Sequence, residues 1–242
     1  MRILYCEDYE SLSLRAGSLV ISEITQKRDL LLCAATGSSP IGLYDALVTR
    51  SRTDRALFAA LRIIKLDEWV GLLENDPGSC EQYLRTRLLD PLGISPARYI
   101  ALTSAPSEPE EECKRIRSEL EQHGPIDVCV LGLGINGHIG FNEPGPVLLP
   151  RCHVARLSDD SRRHAMVRFA DRTPHFGLTL GMQEILAAKR IILLVAGAGK
   201  QQAIAGVLSG EVTTTLPASF LWLHRNVDCL IDRESVSPWN PG

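Results

Sequence analysis

Aromatic residues, charge of one sign, long apolar runs and clustered cysteines are all scarce in this sequence, and each shortage excludes a class of protein. Aromatics make up 5% of the 242 residues, too few for a platform that stacks single-stranded nucleic acid bases. Basic and acidic residues number 26 and 29, a net charge of −3, which argues against a polyanion partner or an anionic membrane surface. No apolar run approaches the ~18–20 residues of a spanning helix; Ile191 to Ala196 has the length of a buried strand. The first residues, MRILYCEDYESL, turn acidic at once and do not read as a signal peptide, so a soluble cytoplasmic protein is expected. The seven cysteines (6, 33, 80, 113, 129, 152 and 229) are odd in number and include no C-x-x-C. That is no disulfide framework; they read as free thiols, with Cys33 and Cys129 inside apolar runs as core.

What remains is an ordinary globular composition, 45% hydrophobic and 23% charged, long enough to bury about 70–75% of its unfolded surface without staples. One domain over residues 1–242 is expected. Strands are predicted at Leu30–Ala35, Leu61–Leu66, Asp127–Leu133, Arg190–Val195 and Val227–Ile231. Helices are predicted at Ile41–Thr49, at Glu111–Gln122, whose acidic start suits a helix N-terminus, and after Lys200 through Leu208. Continuous rather than alternating apolar strands, separated by helices, imply an α/β fold: a single doubly wound, mainly parallel sheet with helices on both faces, Rossmann-like. Ligands bind such sheets beyond the carboxyl ends of the strands, where the first four predicted strands run into glycine-rich or polar loops.

Thr36-Gly37-Ser38-Ser39-Pro40 joins a strand to a helix. Its amides and hydroxyls can hold a phosphate at the helix N-terminus; they can equally be a turn with Ser or Thr as N-cap. Gly197-Ala198-Gly199-Lys200 follows a strand in the same way. A Walker A loop requires glycine where Leu194 stands and Ser or Thr where Gln201 stands, but a glycine turn presenting one lysine suits a single phosphate. Gly132-Leu133-Gly134-Ile135-Asn136-Gly137 matches G-x-G-x-x-G, yet the residues after it carry Gly and Pro where the dinucleotide-binding helix should begin. The same segment reads better as a catalytic loop, with Asn136, His138 and Glu143 at the end of a strand; a carboxylate beside an imidazole orients it and tunes it near neutral pH. Asp67, in Asp67-Glu68-Trp69, ends another buried strand as a cap or as a general base. With no H-E-x-x-H motif and no Cys/His cluster, no metal site is expected.

Taken together, T-G-S-S-P (36–40), K-L-D-E-W (65–69), G-L-G-I-N-G-H-I-G-F-N-E-P-G (132–145), G-L-T-L-G (177–181) and G-A-G-K (197–200) resemble the hexosamine-6-phosphate deaminase/isomerase family, in order and over nearly the whole chain. S-C-E-Q-Y-L (79–84), V-C-V-L-G-L-G (128–134), C-H-V (152–154) and P-A-S-F-L-W-L-H (217–224) look closer to its galactosamine-6-phosphate branch. The resemblance implies a cofactor-free aldose–ketose isomerisation coupled to loss of ammonia, with a small sugar phosphate as the partner molecule and a monomer or small homo-oligomer as the working form. It implies that Asp67 is the general base between C2 and C1, that His138 assists ring opening, and that Glu143 orients His138. Asn136 falls where many relatives have Asp and others Asn. Thr36, Gly37, Ser38, Lys200 and Arg168 match phosphate-binding positions. Allosteric hexameric relatives carry Arg-x-Lys where this chain has His153-Val154-Ala155, so no such activation is expected. Two rivals are a 6-phosphogluconolactonase, whose corresponding segment reads D-G-H-T-A-S-L-F-P, and a sugar-phosphate sensor, which would carry a basic helix-turn-helix module.

Overall fold

The computed structural model describes residues 1–73, 75–168, 170 and 172–236. Seven strands form the main sheet: β1 (Arg2–Cys6), β2 (Leu31–Ala34), β3 (Arg62–Lys65), β5 (Tyr99–Ile100), β6 (Val128–Gly132), β9 (Arg190–Val195) and β10 (Val227–Asp232). Their spatial order is β1-β10-β9-β6-β2-β3-β5, and every pair is parallel. Residues along each strand alternate between two apolar cores. Leu31, Cys33, Cys129, Ile191 and Leu193 face one; Leu32, Ala34, Val130, Ile192 and Leu194 face the other. Both faces are therefore covered, which is why the strands read as continuous apolar runs. All seven cysteines are buried free thiols, and Cys33 and Cys129 lie side by side in register.

The chain builds outward from β2 through β3 to β5, returns to place β6 against the other side of β2, and builds away again through β9 and β10. The β2–β6 boundary is thus where the winding reverses, the position at which such sheets open a crevice for ligand. The strands β9, β6, β2 and β3 are consecutive neighbours. At ~4.8 Å per strand, the four loops at their carboxyl ends gather within about 15 Å.

Helix limits agree closely with the sequence pattern: Ile41–Thr53, Pro109–His123 with Glu110, Glu111 and Glu112 in its first turn, and Gln201–Leu208. The helix Tyr9–Gln26, held by an Asp8/Ser11 capping box, and strand β1 are additions to the sequence reading. So is a second, antiparallel sheet of β4 (Asp67–Trp69), β8 (Phe176–Thr179) and β7 (His153–Arg156), in the order β4-β8-β7. Only Leu66 separates β3 from β4, so the strand that carries Asp67 leaves the main sheet at its carboxyl edge. Among the described residues, no helix is long and apolar enough to cross a membrane.

Candidate active site

The four loops enclose a cavity of about 490 Å³ at the carboxyl edge. Its wall includes Thr36, Gly37, Ser38 and Ser39 after β2, Asp67 and Trp69 in β4, Gly134 and His138 after β6, and Lys200 after β9.

Gly37 sits at φ +97°, in the left-handed region that glycine reaches without a Cβ clash. Tyr83 Oη donates to its carbonyl at 2.7 Å, and Tyr9 Oη donates to the Ser38 carbonyl at 2.9 Å. These bonds tie down the carbonyls of the turn. The following helix begins at Pro40, with no side-chain cap, so neither Ser nor Thr serves as N-cap there. The helix Gln201–Leu208 likewise starts without one. By contrast, Asp8, Ser79 and Ser158 cap helices elsewhere in the chain. At the first of these helices the Gly42 amide donates to Tyr9 Oη at 3.0 Å; both helix N-termini nevertheless border one cavity, where their positive dipole ends favour an anion.

Lys200 reinforces this reading. It is buried, its Nζ meets only the Ser39 hydroxyl, at 3.3 Å, and it pairs with no carboxylate among the described residues. Burial alone pulls its pKa down to about 8. A buried cation without a counter-ion is costly, and a dianionic ligand removes that cost.

On the facing wall, His138 hangs from a loop fastened at several points. The Gly134 amide donates to the His138 carbonyl at 3.0 Å, and the Ala218 amide to the Gly137 carbonyl at 3.0 Å. Asn136 Oδ1 accepts from the His138 backbone N–H at 3.1 Å and meets its ring Nδ1 at 2.7 Å, while Asn136 Nδ2 donates to Glu143 Oε2 at 3.1 Å. The amide orientation is thereby settled: its oxygen faces the histidine, so Nδ1 carries the proton. Nε2 has no hydrogen-bond partner among the described residues. Glu143 lies 3.6 Å from Nδ1 and acts on the ring chiefly through Asn136; its other oxygen accepts from Ser158 N at 3.2 Å. Burial lowers the His138 pKa below its usual value, Glu143 opposes this, and Lys200 adds to it. The ring is thus neutral at neutral pH, with Nε2 as an acceptor.

Gly134 lies directly under this ring. A Cβ there would run into His138 Cε1, Nδ1 and Cγ, so Gly134→Ala is expected to displace the imidazole. The expected result is a ~10–100-fold loss of kcat, by the sensitivity of proton transfer to an ångström-scale misplacement, with KM little changed. A loss confined to KM would contradict this placement.

Asp67 projects from β4 at 6% exposure. Burial, and secondarily the adjacent Glu68, push its carboxyl pKa up to about 7, while Lys65 and the Cys80 thiol, 3.9 Å away, pull it back. Strand β8 holds it in place, with Thr179 opposite Asp67. The Phe141 amide donates to Thr179 Oγ1 at 3.1 Å, and Asn142 Nδ2 donates to the Leu180 carbonyl at 2.9 Å. Thus the segments 65–69, 139–142 and 177–181, far apart in sequence, lock together beside one carboxylate.

The structure brings Thr36, Gly37, Ser38, Asp67, His138 and Lys200 to the cavity, with Asn136 and Glu143 directly behind His138. It does not bring Arg168 there. After His164 the chain makes a short 3₁₀ turn, Ala165–Val167, which carries Arg168 to an adjoining depression with Arg162, Arg163 and Thr173. Arg163 borders both spaces. Sequence reasoning also missed His164, which lines the cavity with its Nδ1 accepting from Met166 N at 3.3 Å. Its Nε2 therefore bears the hydrogen, close to Gly37. Its position three residues after the Ser161 turn carries no motif. Among the described residues, no group of three or more His, Cys, Asp or Glu is arranged to hold a metal ion.

Residues 9–230 match the family described as glucosamine-6-phosphate isomerases/6-phosphogluconolactonase. The chain belongs to that family. Within it, a protein of Escherichia coli (strain K12) carrying the name deaminase AgaI is 41% identical over 226 residues, covering 93% of this chain and 90% of that one. Glucosamine-6-phosphate deaminase 1 of Bacillus subtilis (strain 168) is 37% identical over 240 residues, covering 98% and 99%. A solved glucosamine-6-phosphate deaminase, described as monomeric, superposes with a TM-score of 0.92 at 37% identity, covering 98% of this chain and 99% of that one. The 6-phosphogluconolactonase of Leishmania guyanensis, at 22% identity and a TM-score of 0.79, shares the fold. This family member is an enzyme of the hexosamine-6-phosphate deaminase/isomerase kind.

Proposed function

We propose that the protein converts galactosamine 6-phosphate and water to tagatose 6-phosphate and ammonia, without a cofactor. The observation that carries the mechanism is the pairing of a buried carboxylate, Asp67, with an imidazole, His138, whose Nε2 has no hydrogen-bond partner among the described residues, in a cavity that also holds the cation Lys200, unpaired with any carboxylate among those residues. His138 exchanges a proton with the ring oxygen as the sugar opens. Asp67 takes the proton from C2 of the open-chain aldehyde, giving an enolamine, and returns it to C1. That leaves an imine at C2, to which water adds before ammonia departs. Such positioned acid–base groups contribute ~10²–10⁴-fold each. Asn136 and Glu143 hold the His138 tautomer. The phosphate lies against Thr36, Gly37, Ser38, Ser39 and Lys200, with Arg163 and His164 Nε2–H at its edge and Arg168 beyond. It supplies orientation rather than chemistry.

The galacto epimer is supported by the segments 79–84, 152–154 and 217–224. The relatives named as glucosamine-6-phosphate deaminases favour the gluco epimer as the second reading. Assaying ammonia and ketose release from both 6-phosphates separates them: a larger kcat/KM for galactosamine 6-phosphate is expected, and faster turnover of the gluco epimer overturns the assignment. No turnover of either by folded protein overturns the mechanism as well. A monomer, as described for the solved relative, or a small homo-oligomer is the proposed working form.

A further inference from the structure

Lys65 is an unusual residue for its place. It ends β3 after two isoleucines and is 1% exposed, among the most buried large side chains of the chain. Its Nζ donates to Glu68 Oε2 at 2.8 Å and to Glu81 Oε2 at 2.8 Å. Glu68, fully buried, also accepts from the backbone N–H groups of Trp69, Cys80 and Glu81 at 2.8–2.9 Å. Glu81 in turn is met by Arg85 Nε at 2.8 Å and by Tyr99 Oη at 2.8 Å. Burying a lysine between two carboxylates strips each ion of water, a cost that well-packed apolar residues of the same volume avoid.

None of Lys65, Glu68 and Glu81 lines the cavity, so the cluster does not touch substrate. It lies behind Asp67. Consecutive residues of a strand point to opposite faces, so Asp67 faces the cavity and Glu68 faces away from it. The groups that act on Asp67 can be named. Glu68 favours its protonated form, and Lys65 and the Cys80 thiol favour its carboxylate. Cys33 of β2 and Tyr44 of the helix Ile41–Thr53 are also near and are kept uncharged by burial. Lys65 is the cation among these groups, and Glu81 determines how much of its charge is left to act on Asp67.

We propose that Lys65 and Glu81 are positioning residues for the reaction: with Glu68, and with Arg85 balancing the second carboxylate at the margin, they form a buried ionic cluster that sets the proton affinity of Asp67 from behind. The inference rests on Asp67 as the base and adds what governs it. It makes predictions of opposite sign for the two partners. Lys65→Met removes the balancing cation, and the acidic limb of kcat/KM moves up by about one pH unit. Glu81→Gln frees part of the Lys65 charge, and the same limb moves down by a comparable amount. A cluster that merely braces the fold lowers stability in both variants and leaves both limbs where they are.

The experiment is the pH profile of kcat/KM for the wild type, Lys65→Met and Glu81→Gln, with Asp67→Asn in the same assay. Shifts in opposite directions are expected. If Lys65→Met does not fold, Glu81→Gln decides alone, because Glu81 lies at the partly exposed margin of the cluster. A Glu81→Gln limb that stays put or moves up, in an enzyme that Asp67→Asn inactivates, overturns the inference and leaves the base assignment standing. Turnover retained in Asp67→Asn overturns both.

Discussion

Asparagine at position 67 is expected to abolish turnover and at the same time stabilise the protein above pH 7. The first effect is loss of the base, a fall in kcat of ~10³–10⁴-fold, with exchange of the C2 proton lost as well. The second follows from linkage. Asp67 ionises in the folded protein at about 7, against the ordinary carboxyl value of 3.8. Below the lower value it is protonated in both states and contributes nothing. Between the two it is ionised only when unfolded, so rising pH draws the equilibrium toward unfolding. Above the upper value the full penalty is present, on the order of 4 kcal/mol at 1.36 kcal/mol per pKa unit. Asparagine carries none of it. At ~2–4 °C per kcal/mol for a chain of this size, the variant melts on the order of 10 °C higher at pH 8 and level with the wild type near pH 4. Equal melting temperatures across that range would remove the buried-charge account of Asp67. A strained, costly group at the reacting centre is a common form of the trade between stability and activity.

Lys200→Met is the counterpart at the cavity's cation. Here the folded pKa, about 8, lies below the ordinary lysine value of 10.5. Below pH 8 the amine is charged in both states and the fold bears the whole desolvation cost, roughly 3 kcal/mol; the cost fades as pH rises and is gone above 10.5. Methionine removes it, so the variant melts several degrees higher at pH 7. Its KM rises ~100-fold, the consequence of leaving a phosphate without its charged partner, while kcat changes little, because that contact is the same in ground and transition states. Inorganic phosphate should raise the wild-type melting temperature and leave that of Lys200→Met unchanged. Together the two groups give kcat/KM a bell shape, its acidic limb near 7 from Asp67 and its alkaline limb near 8 from Lys200; Lys200→Met loses the alkaline limb. An unchanged KM in that variant would place the phosphate elsewhere.

The main sheet was legible because its central strands are buried on both faces and read as unbroken apolar runs. Their polar loops could be assigned to one edge, since parallel strands share a carboxyl side. Strand order was not legible, and it is strand order that turns four polar loops into one cavity. The second sheet escaped because β4 has three residues and β7 and β8 four each, too short for a period to show. Glu68 was passed over for a similar reason: in Asp67-Glu68-Trp69 nothing local says which carboxylate faces the cavity. Lys65 offered a signal, a lysine closing an apolar strand. Arg168 rests on position along the chain, and the 3₁₀ turn before it sets it at a neighbouring depression that shares Arg163 with the cavity.

The phosphate grip beside Lys200 bears on the direction of flux. The phosphoryl group is untouched by the proposed reaction, so hexosamine and ketose present the same dianion to the same amides and the same Lys200. This grip holds product as firmly as substrate. The ketose phosphate therefore competes with substrate, and the enzyme runs backward wherever ammonia accumulates. Net deamination by the proposed reaction then depends on removal of its products, rather than on anything the cavity itself can favour.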